Sequence, residues 1–482
     1  MNITVAIITL VIFINTVAAI ITVFKDTREI SATWAWLLVL FLLPVVGFIM
    51  YLFFGKKLSK QNIFDLKSQE TLGISEIANS QLELLGEGTV LPVFENNIYL
   101  KDLATLFLES DESIITKGNK VELIIDGEEK FAQLMEDILN AKHHIHMIYY
   151  IFKDDDLGRR VMDALIEKAS QGIEVLVIYD AMGSRTTSRK FWKKLEEAGG
   201  KAVSFFSQSF AFINFRINYR NHRKIVVIDG VIGYVGGFNI GNEYLGISKM
   251  GYWRDSHLRI QGNAVLTLQS RFFIDWNAVV SETHGREYSE SYFPISKSLG
   301  PSSMQIVSNG PDSDFQKIKM GFIKMISMAK ESIYIQSPYF IPDESVLEAL
   351  SIAALSGVDV RIMIPSKPDH PFVYRATEFY SKTIIESGVK VYIYQNGFLH
   401  AKTMVVDSQA ATVGTSNFDV RSFKLNFEVN AFIYDAEFAK KMEATFMEDI
   451  KDCTEATKSY FEKQSSWLKF KQTFSRLFSP IL

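Results

Sequence analysis

Cysteine is nearly absent. Cys453 is the only one in 482 residues, which excludes an internal disulfide and a metal site built on thiolates. No carboxylate–histidine set stands at metal-ligand spacing, although three of the eight histidines cluster as His143, His144 and His146. That trio reads as alternation on a strand edge. A basic excess is missing too. With 51 Lys and Arg against 55 Asp and Glu, the net charge is −4, without the positive footprint of nucleic-acid binders. Charge is also missing locally, from Met1 to Phe24 and again from Ile30 to Gly55. Each run exceeds the ~20 apolar residues a helix needs to cross a bilayer core. At 48% hydrophobic overall, the remainder is too polar for a polytopic transporter.

The two uncharged runs predict transmembrane helices at about 3–24 and 32–54, within an N-terminal hairpin at 1–57. Lys25, Asp26, Arg28 and Glu29 form the turn between them. Trp34, Trp36 and Tyr51 suit the interfacial belts. A cleaved signal peptide would want a basic start and a short apolar run, and Met-Asn-Ile offers neither. Lys56, Lys57 and Lys60 after the second run, against Lys25 and Arg28 in the turn, tilt the positive-inside balance toward a cytoplasmic body.

Residues 58–119 read as a connector with helical pieces such as Ile74–Leu85. Beyond it, near-continuous apolar strands (Ile145–Phe152, Ile173–Tyr179) alternate with helical spacing (Leu157–Ala169, Phe191–Ala198). That alternation predicts an α/β fold with a largely parallel sheet covered on both faces. The order returns in the second half, with Ile333–Phe340, Ser345–Leu355, Val358–Ile364, Tyr374–Glu386 and Val389–Tyr394. The prediction is two duplicated α/β domains, 120–295 and 300–452, in a pseudo-twofold pair, followed by an amphipathic segment at 453–482. A ligand site is expected where they meet.

Both halves carry one string. His222, Lys224, Asp229, Gly236 and Asn239 return at identical spacing, 178 residues on, as His400, Lys402, Asp407, Gly414 and Asn417. Residues two apart on a strand face one way, so each His and Lys point together. A glycine turn then brings an amide side chain close to a bound anion. Imidazole, ammonium and amide aimed at one spot are what attack on a phosphodiester requires. Each aspartate serves either that site or the turn after its strand. A nucleophilic imidazole needs its tautomer set by a carboxylate. The candidates downstream of each string are Asp255 and Glu428, with Glu243 a weaker one.

The paired strings resemble the phospholipase D superfamily. Over its whole length the chain is similar to the bacterial cardiolipin synthases within it, through WAWLLVLFLLPVVGFIMYLFFG at 34–55, RNHRKIVVIDG at 220–230, YWRDSHLRIQG at 252–262 and the closing SPIL. One departure is that Gly237 and Thr415 stand where superfamily members often have serine. The resemblance implies a multi-pass enzyme of the bacterial cell membrane that joins two phosphatidylglycerols into cardiolipin and glycerol through a phosphohistidine. It implies catalytic roles for His222, Lys224, Asp229, His400, Lys402 and Asp407, and phosphate binding by Asn239 and Asn417. Neither metal nor organic cofactor is implied, and oligomeric state is left open. A membrane-anchored phospholipase D, another phosphatidyltransferase, a nuclease of the superfamily and an inactive scaffold stay as alternatives. The C-terminal run Trp467–Leu482 interleaves aromatics with Lys469, Lys471 and Arg476, as an interfacial helix or a packed one would.

Overall fold

The computed structural model describes residues 30–43, 73–87, 98–205, 218–280, 289–295 and 297–480, with isolated positions before residue 98. One continuous sheet of 16 strands organises it. Seven strands run in the same order in each half. In the first they are Thr116–Ile124, His257–Gln261, Ile232–Gly236, Ile225–Ile228, His144–Tyr149, Glu174–Asp180 and Lys201–Phe205. In the second they are Ser302–Asn309, Asn426–Tyr434, Ala410–Gly414, Thr403–Val406, Ser332–Gln336, Asp359–Pro365 and Lys390–Tyr394. Thr116–Ile124 pairs antiparallel with Ser302–Asn309 and fuses the halves into one sheet.

Only the last three strands of each series are parallel; the other four pair antiparallel. The expectation of a largely parallel sheet is therefore corrected to a mixed one. The cause is local. Each string folds as a hairpin, Ile225–Ile228 with Ile232–Gly236 and Thr403–Val406 with Ala410–Gly414, because its turn takes left-handed residues. Asp229 and Gly230 sit at φ 54° and 67°, and Asp407 and Ser408 at φ 51°. The helices are opened by matching caps. Asp155 accepts from Gly158 N at the start of Asp156–Ser170, and Asp343 from Val346 N at the start of Glu344–Leu355.

The core does not stop at the boundary between halves. Ile225, Phe272 and Trp276 pack in one apolar cluster with Leu399, Ala401, Phe427 and Val429. His144 and His146 lie on an interior strand, not an edge, and are fully buried. Gln269 bridges them, at 2.9 Å from His144 Nε2 and 2.8 Å from His146 Nδ1, with Glu174 3.1 Å from His146 Nε2. Burial holds His144 down at about 3, so it stays neutral.

Among the described residues, no helix is long and apolar enough to cross a membrane. The span expected at 3–24 falls outside the described residues except at isolated positions. Of the second, the helix Ile30–Leu42 is described. The rings of Trp36 and Tyr51 meet at 5.2 Å.

Candidate active site

Each half lends a strand to the other. Arg220–Asn221, just before His222, pairs in parallel with Asn426–Phe427. Phe398–Leu399, just before His400, pairs in parallel with Trp253–Arg254. The backbone follows through: His222 N donates to Phe427 O at 2.9 Å, and His400 N to Arg254 O at 2.7 Å. Each histidine is thereby laid beside a carboxylate from the opposite half. His222 Nδ1 is 3.0 Å from Glu428 Oε2, and His400 Nδ1 is 2.6 Å from Asp255 Oδ2. The pairing is crossed relative to the order of the sequence, in which Asp255 follows His222 and Glu428 follows His400. With Nδ1 engaged, Nε2 is the ring nitrogen left for chemistry.

The two carboxylates are supported differently. Glu428 Oε2 also accepts the Thr415 hydroxyl, and Oε1 accepts Asn426 Nδ2 at 3.1 Å. Asp255 has its own neighbour instead, Ser256 N at 2.7 Å on Oδ1. The difference follows from the motif glycines. A Cβ on Gly237 would fall 1.9 Å from Asp255 Oδ1, so the first string has no side chain where the second has Thr415.

Lys224 and Lys402 converge on the same space. Each ammonium donates to the carbonyl of its own histidine, Lys224 Nζ to His222 O at 2.6 Å and Lys402 Nζ to His400 O. Both lie within the field of both carboxylates, and Lys224 within that of Lys402. Burial dominates, pulling Lys224 down to about 7 and Lys402 to about 8. Burial likewise lowers His222, to about 4 against the opposing pull of Glu428, and lowers His400. Both imidazoles are therefore neutral in the unliganded site.

The lysines carry a pH prediction. A phosphodiester needs them charged, so kcat/KM, which reports the free enzyme, falls as pH rises through about 7 to 8. The kcat profile holds to higher pH, because a bound anion restores the protons. Stability moves the other way. Between about 7 and its ordinary 10.5, Lys224 is neutral when folded and protonated when unfolded, so rising pH stabilises the unliganded enzyme. Parallel rate and thermal-unfolding series from pH 6 to 10 check both slopes.

Asp229 and Asp407 stand apart from this cluster. Asp229 accepts Lys142 N at 2.8 Å, His143 N at 2.8 Å and His144 N at 3.0 Å. Asp407 accepts Lys330 N at 2.7 Å and Glu331 N and Ser332 N at 2.8 Å. Each pins the start of a parallel strand, at the far end of the string from its histidine, on the order of 20 Å away along an extended chain. These contacts belong to the turn after each strand, one of the two places expected for the aspartates. Asp229→Ala should lower stability by about 2–4 kcal/mol, through three charge-assisted bonds and a left-handed φ. Turnover per folded molecule should hold, which thermal unfolding and titrated activity would check.

Asn239 and Asn417 sit just past the glycine turns. Asn239 Oδ1 accepts Ile151 N at 3.1 Å, and its Nδ2 donates to Tyr244 Oη at 2.6 Å. Asn417 Nδ2 donates to Asp419 Oδ2 at 3.0 Å, while its buried Oδ1 has no partner among the described residues. Among the described residues, each amide keeps one N–H in reserve. Glu243 is outside the site, paired with Lys153 Nζ at 2.6 Å.

Two residues escaped sequence reasoning. Arg223, between His222 and Lys224, is buried, with its Nη1 2.8 Å from both carboxylate oxygens of Asp275. Its Nε donates to Glu428 O at 3.2 Å. Arg254 is buried on Asp449 at 2.7 and 3.0 Å and donates to Asp255 O. Each guanidinium thus holds the backbone of a histidine-orienting carboxylate. The available signal was an arginine beside each motif histidine or carboxylate, with an acid on a later helix.

Comparison with known proteins gives the family. The family model described as "Cardiolipin synthase, PLD-like domain" matches residues 134–254 and 322–450, and "Phospholipase_D-nuclease N-terminal" matches 13–56. A cardiolipin synthase of Listeria monocytogenes serotype 4a (strain HCC23) is 55% identical over 475 residues, 98% of each chain. The chain belongs to the cardiolipin synthases of the phospholipase D superfamily. The major cardiolipin synthase ClsA of Bacillus subtilis (strain 168) is 51% identical over all of both chains. In fold the chain is similar to the crystal structure of phosphatidylserine synthase from Haemophilus influenzae Rd KW20. That match has TM-score 0.59 at 16% identity, covering 75% of this chain and 95% of that one. The duplicated α/β architecture is that of this family.

Proposed function

We propose that this phosphatidyltransferase makes cardiolipin from two phosphatidylglycerols, with His222 as nucleophile and His400 as acid and base. His222 Nε2 attacks phosphorus and the bond to the glycerol oxygen breaks. His400, which takes up a proton at Nε2 as the anionic phosphodiester binds beside the lysines, gives that proton to the oxygen, releasing glycerol and leaving a phosphatidyl-histidine. A hydroxyl of the second phosphatidylglycerol then passes its proton to His400 and its oxygen to phosphorus, breaking the P–N bond. Lys224 and Lys402, with the spare N–H of Asn239 and Asn417, hold the phosphoryl oxygens in both steps. One phosphodiester is broken and one made, so lipid and glycerol levels set the direction.

The observation that carries the reading is the crossed pair of histidine–carboxylate contacts around two lysines. The shorter contact, at 2.6 Å to Asp255, suits the histidine that must become imidazolium. The Glu428 contact at 3.0 Å, shared with Thr415, suits the one that must stay a neutral nucleophile. Water is the rival acceptor, and a site fed from a bilayer excludes it. In this reading the charge-free runs at 3–24 and 32–54 anchor the enzyme in the bacterial cell membrane, with its body cytoplasmic.

The test is product analysis with labelled phosphatidylglycerol in proteoliposomes, together with acid-free trapping of the adduct. Cardiolipin with glycerol, and label on His222, are expected. Phosphatidic acid without cardiolipin would make the protein a hydrolase, and label on His400 would reverse the two roles.

A further inference from the structure

The last helix is built inside out. Ser466–Arg476 buries Gln472 and Ser475, and Ser479 just beyond it. Gln472 Nε2 donates to Glu378 Oε2 at 3.2 Å and to Gln464 Oε1 at 2.8 Å, and Tyr380 Oη lies 3.3 Å from Ser479 Oγ. The polar face is thus docked on the helix Pro371–Ile385, and the opposite face carries Trp467, Phe470, Phe474, Leu477 and Phe478. These fall at three- and four-residue spacing on one stripe. Trp467 is 63% and Leu477 70% exposed. The rings stack along the stripe, with centroids 5.4 Å apart from Trp467 to Phe470, 6.1 Å on to Phe474 and 5.3 Å on to Phe478. A helix seated only by packing would turn this stripe inward.

The stripe's surroundings say what covers it. From Lys463 to Pro480 there are four basic residues, Lys463, Lys469, Lys471 and Arg476, and no acidic one. Lys471 stands 5.4 Å over the Trp467 ring, at the margin of the apolar stripe. Aromatic residues flanked by cations with no acid form the composition of a helix lying in an anionic lipid interface. The stripe also leads to the site. Phe478 meets Phe372 at 6.4 Å, and Phe372 opens the helix that follows Asp369. Asp369 accepts the Tyr339 hydroxyl and acts electrostatically on Lys402.

We infer that the exposed face of Ser466–Arg476, continued by Leu477, Phe478 and Phe372, lies in the surface of an anionic bilayer and holds the rim of the catalytic site against it. The inference rests on the reading that the substrates are membrane lipids. It adds a second contact, separate from the N-terminal segment, that sets the orientation of the body.

The chain carries one cysteine, so Cys453→Ser with Phe470→Cys accepts a single environment-sensitive fluorophore. Reconstituted into nanodiscs of phosphatidylglycerol and phosphatidylcholine, the label should be blue-shifted and lose roughly half its emission to shallow spin-labelled lipid, more so with the anionic lipid present. Quenching by aqueous iodide would overturn the inference. So would resistance to both quenchers, since a second copy or the chain's own N-terminal segment would then cover the face. In a separate arm, Phe470→Glu with Phe474→Glu should raise the apparent KM for surface phosphatidylglycerol roughly tenfold, with kcat within about twofold. An unchanged KM would count against it. The fluorophore is read without turnover, so a lipid-facing helix on an inactive enzyme is distinguishable from a water-facing helix on an active one.

Discussion

His222→Ala and His400→Ala each lower cardiolipin formation by about 10⁴-fold or more, and the double variant is little worse than either. The magnitude follows from the division of labour. Without the nucleophile no covalent phosphatidyl group forms, and without the acid the glycerol oxygen would have to leave as an alkoxide. The lack of additivity follows because the two imidazoles act in one sequence of steps. Folding should survive the first change more easily than the second. With His222 gone, Glu428 keeps the Thr415 hydroxyl and the Asn426 amide. With His400 gone, the buried Asp255 keeps one carboxylate hydrogen bond among the described residues, from Ser256 N, so His400→Ala should show the larger drop in unfolding temperature. Labelled phosphatidylglycerol in proteoliposomes measures the rates. If either variant kept activity within tenfold of the parent, a two-histidine mechanism could not stand.

Much of this site was legible in the chain because its signals are local. The repeated string carries its own strand, turn and glycine break, so the duplicated α/β order and the His–Lys pairs could be read directly. The antiparallel strands of each half were harder. They are short, and Ile225–Ile228 or Thr403–Val406 looks the same in either direction until its partner is known. Asp229 illustrates a signal present but ambiguous. An Asp-Gly pair after a strand favours a left-handed turn, and the carboxylate then caps three backbone amides rather than meeting substrate. The crossing of Glu428 and Asp255 was not legible. It depends on Arg220–Asn221 and Phe398–Leu399 pairing with strands of the opposite half, and nothing near either stretch names its partner. The inverted C-terminal helix was half legible: the aromatic and basic pattern could be seen, but which face was buried depended on Glu378 and Tyr380, almost a hundred residues earlier.

That crossing yields the second large effect. Glu428→Gln should slow the first half-reaction by about 10³-fold or more, because the amide can present the wrong tautomer to His222 and no longer supports its charge as the P–N bond forms. Asp255→Asn should act on the other histidine and leave the first step intact whenever that step needs no acid. A phosphatidyl ester of p-nitrophenol separates the two, since its phenolate departs without a proton. With that substrate, Asp255→Asn and His400→Ala should keep the pre-steady-state burst of nitrophenolate and lose the later transfer to phosphatidylglycerol. Glu428→Gln and His222→Ala should lose the burst itself. A pairing in sequence order, Asp255 with His222, would give the opposite pattern, with the burst gone in Asp255→Asn and kept in Glu428→Gln. Were both bursts lost alike, the carboxylates would be acting on the assembly of the site as a whole, and the 2.6 Å and 3.0 Å contacts would not be separate catalytic devices. The crossed geometry therefore predicts a kinetic phenotype in each half of the chain for a residue whose histidine lies in the other.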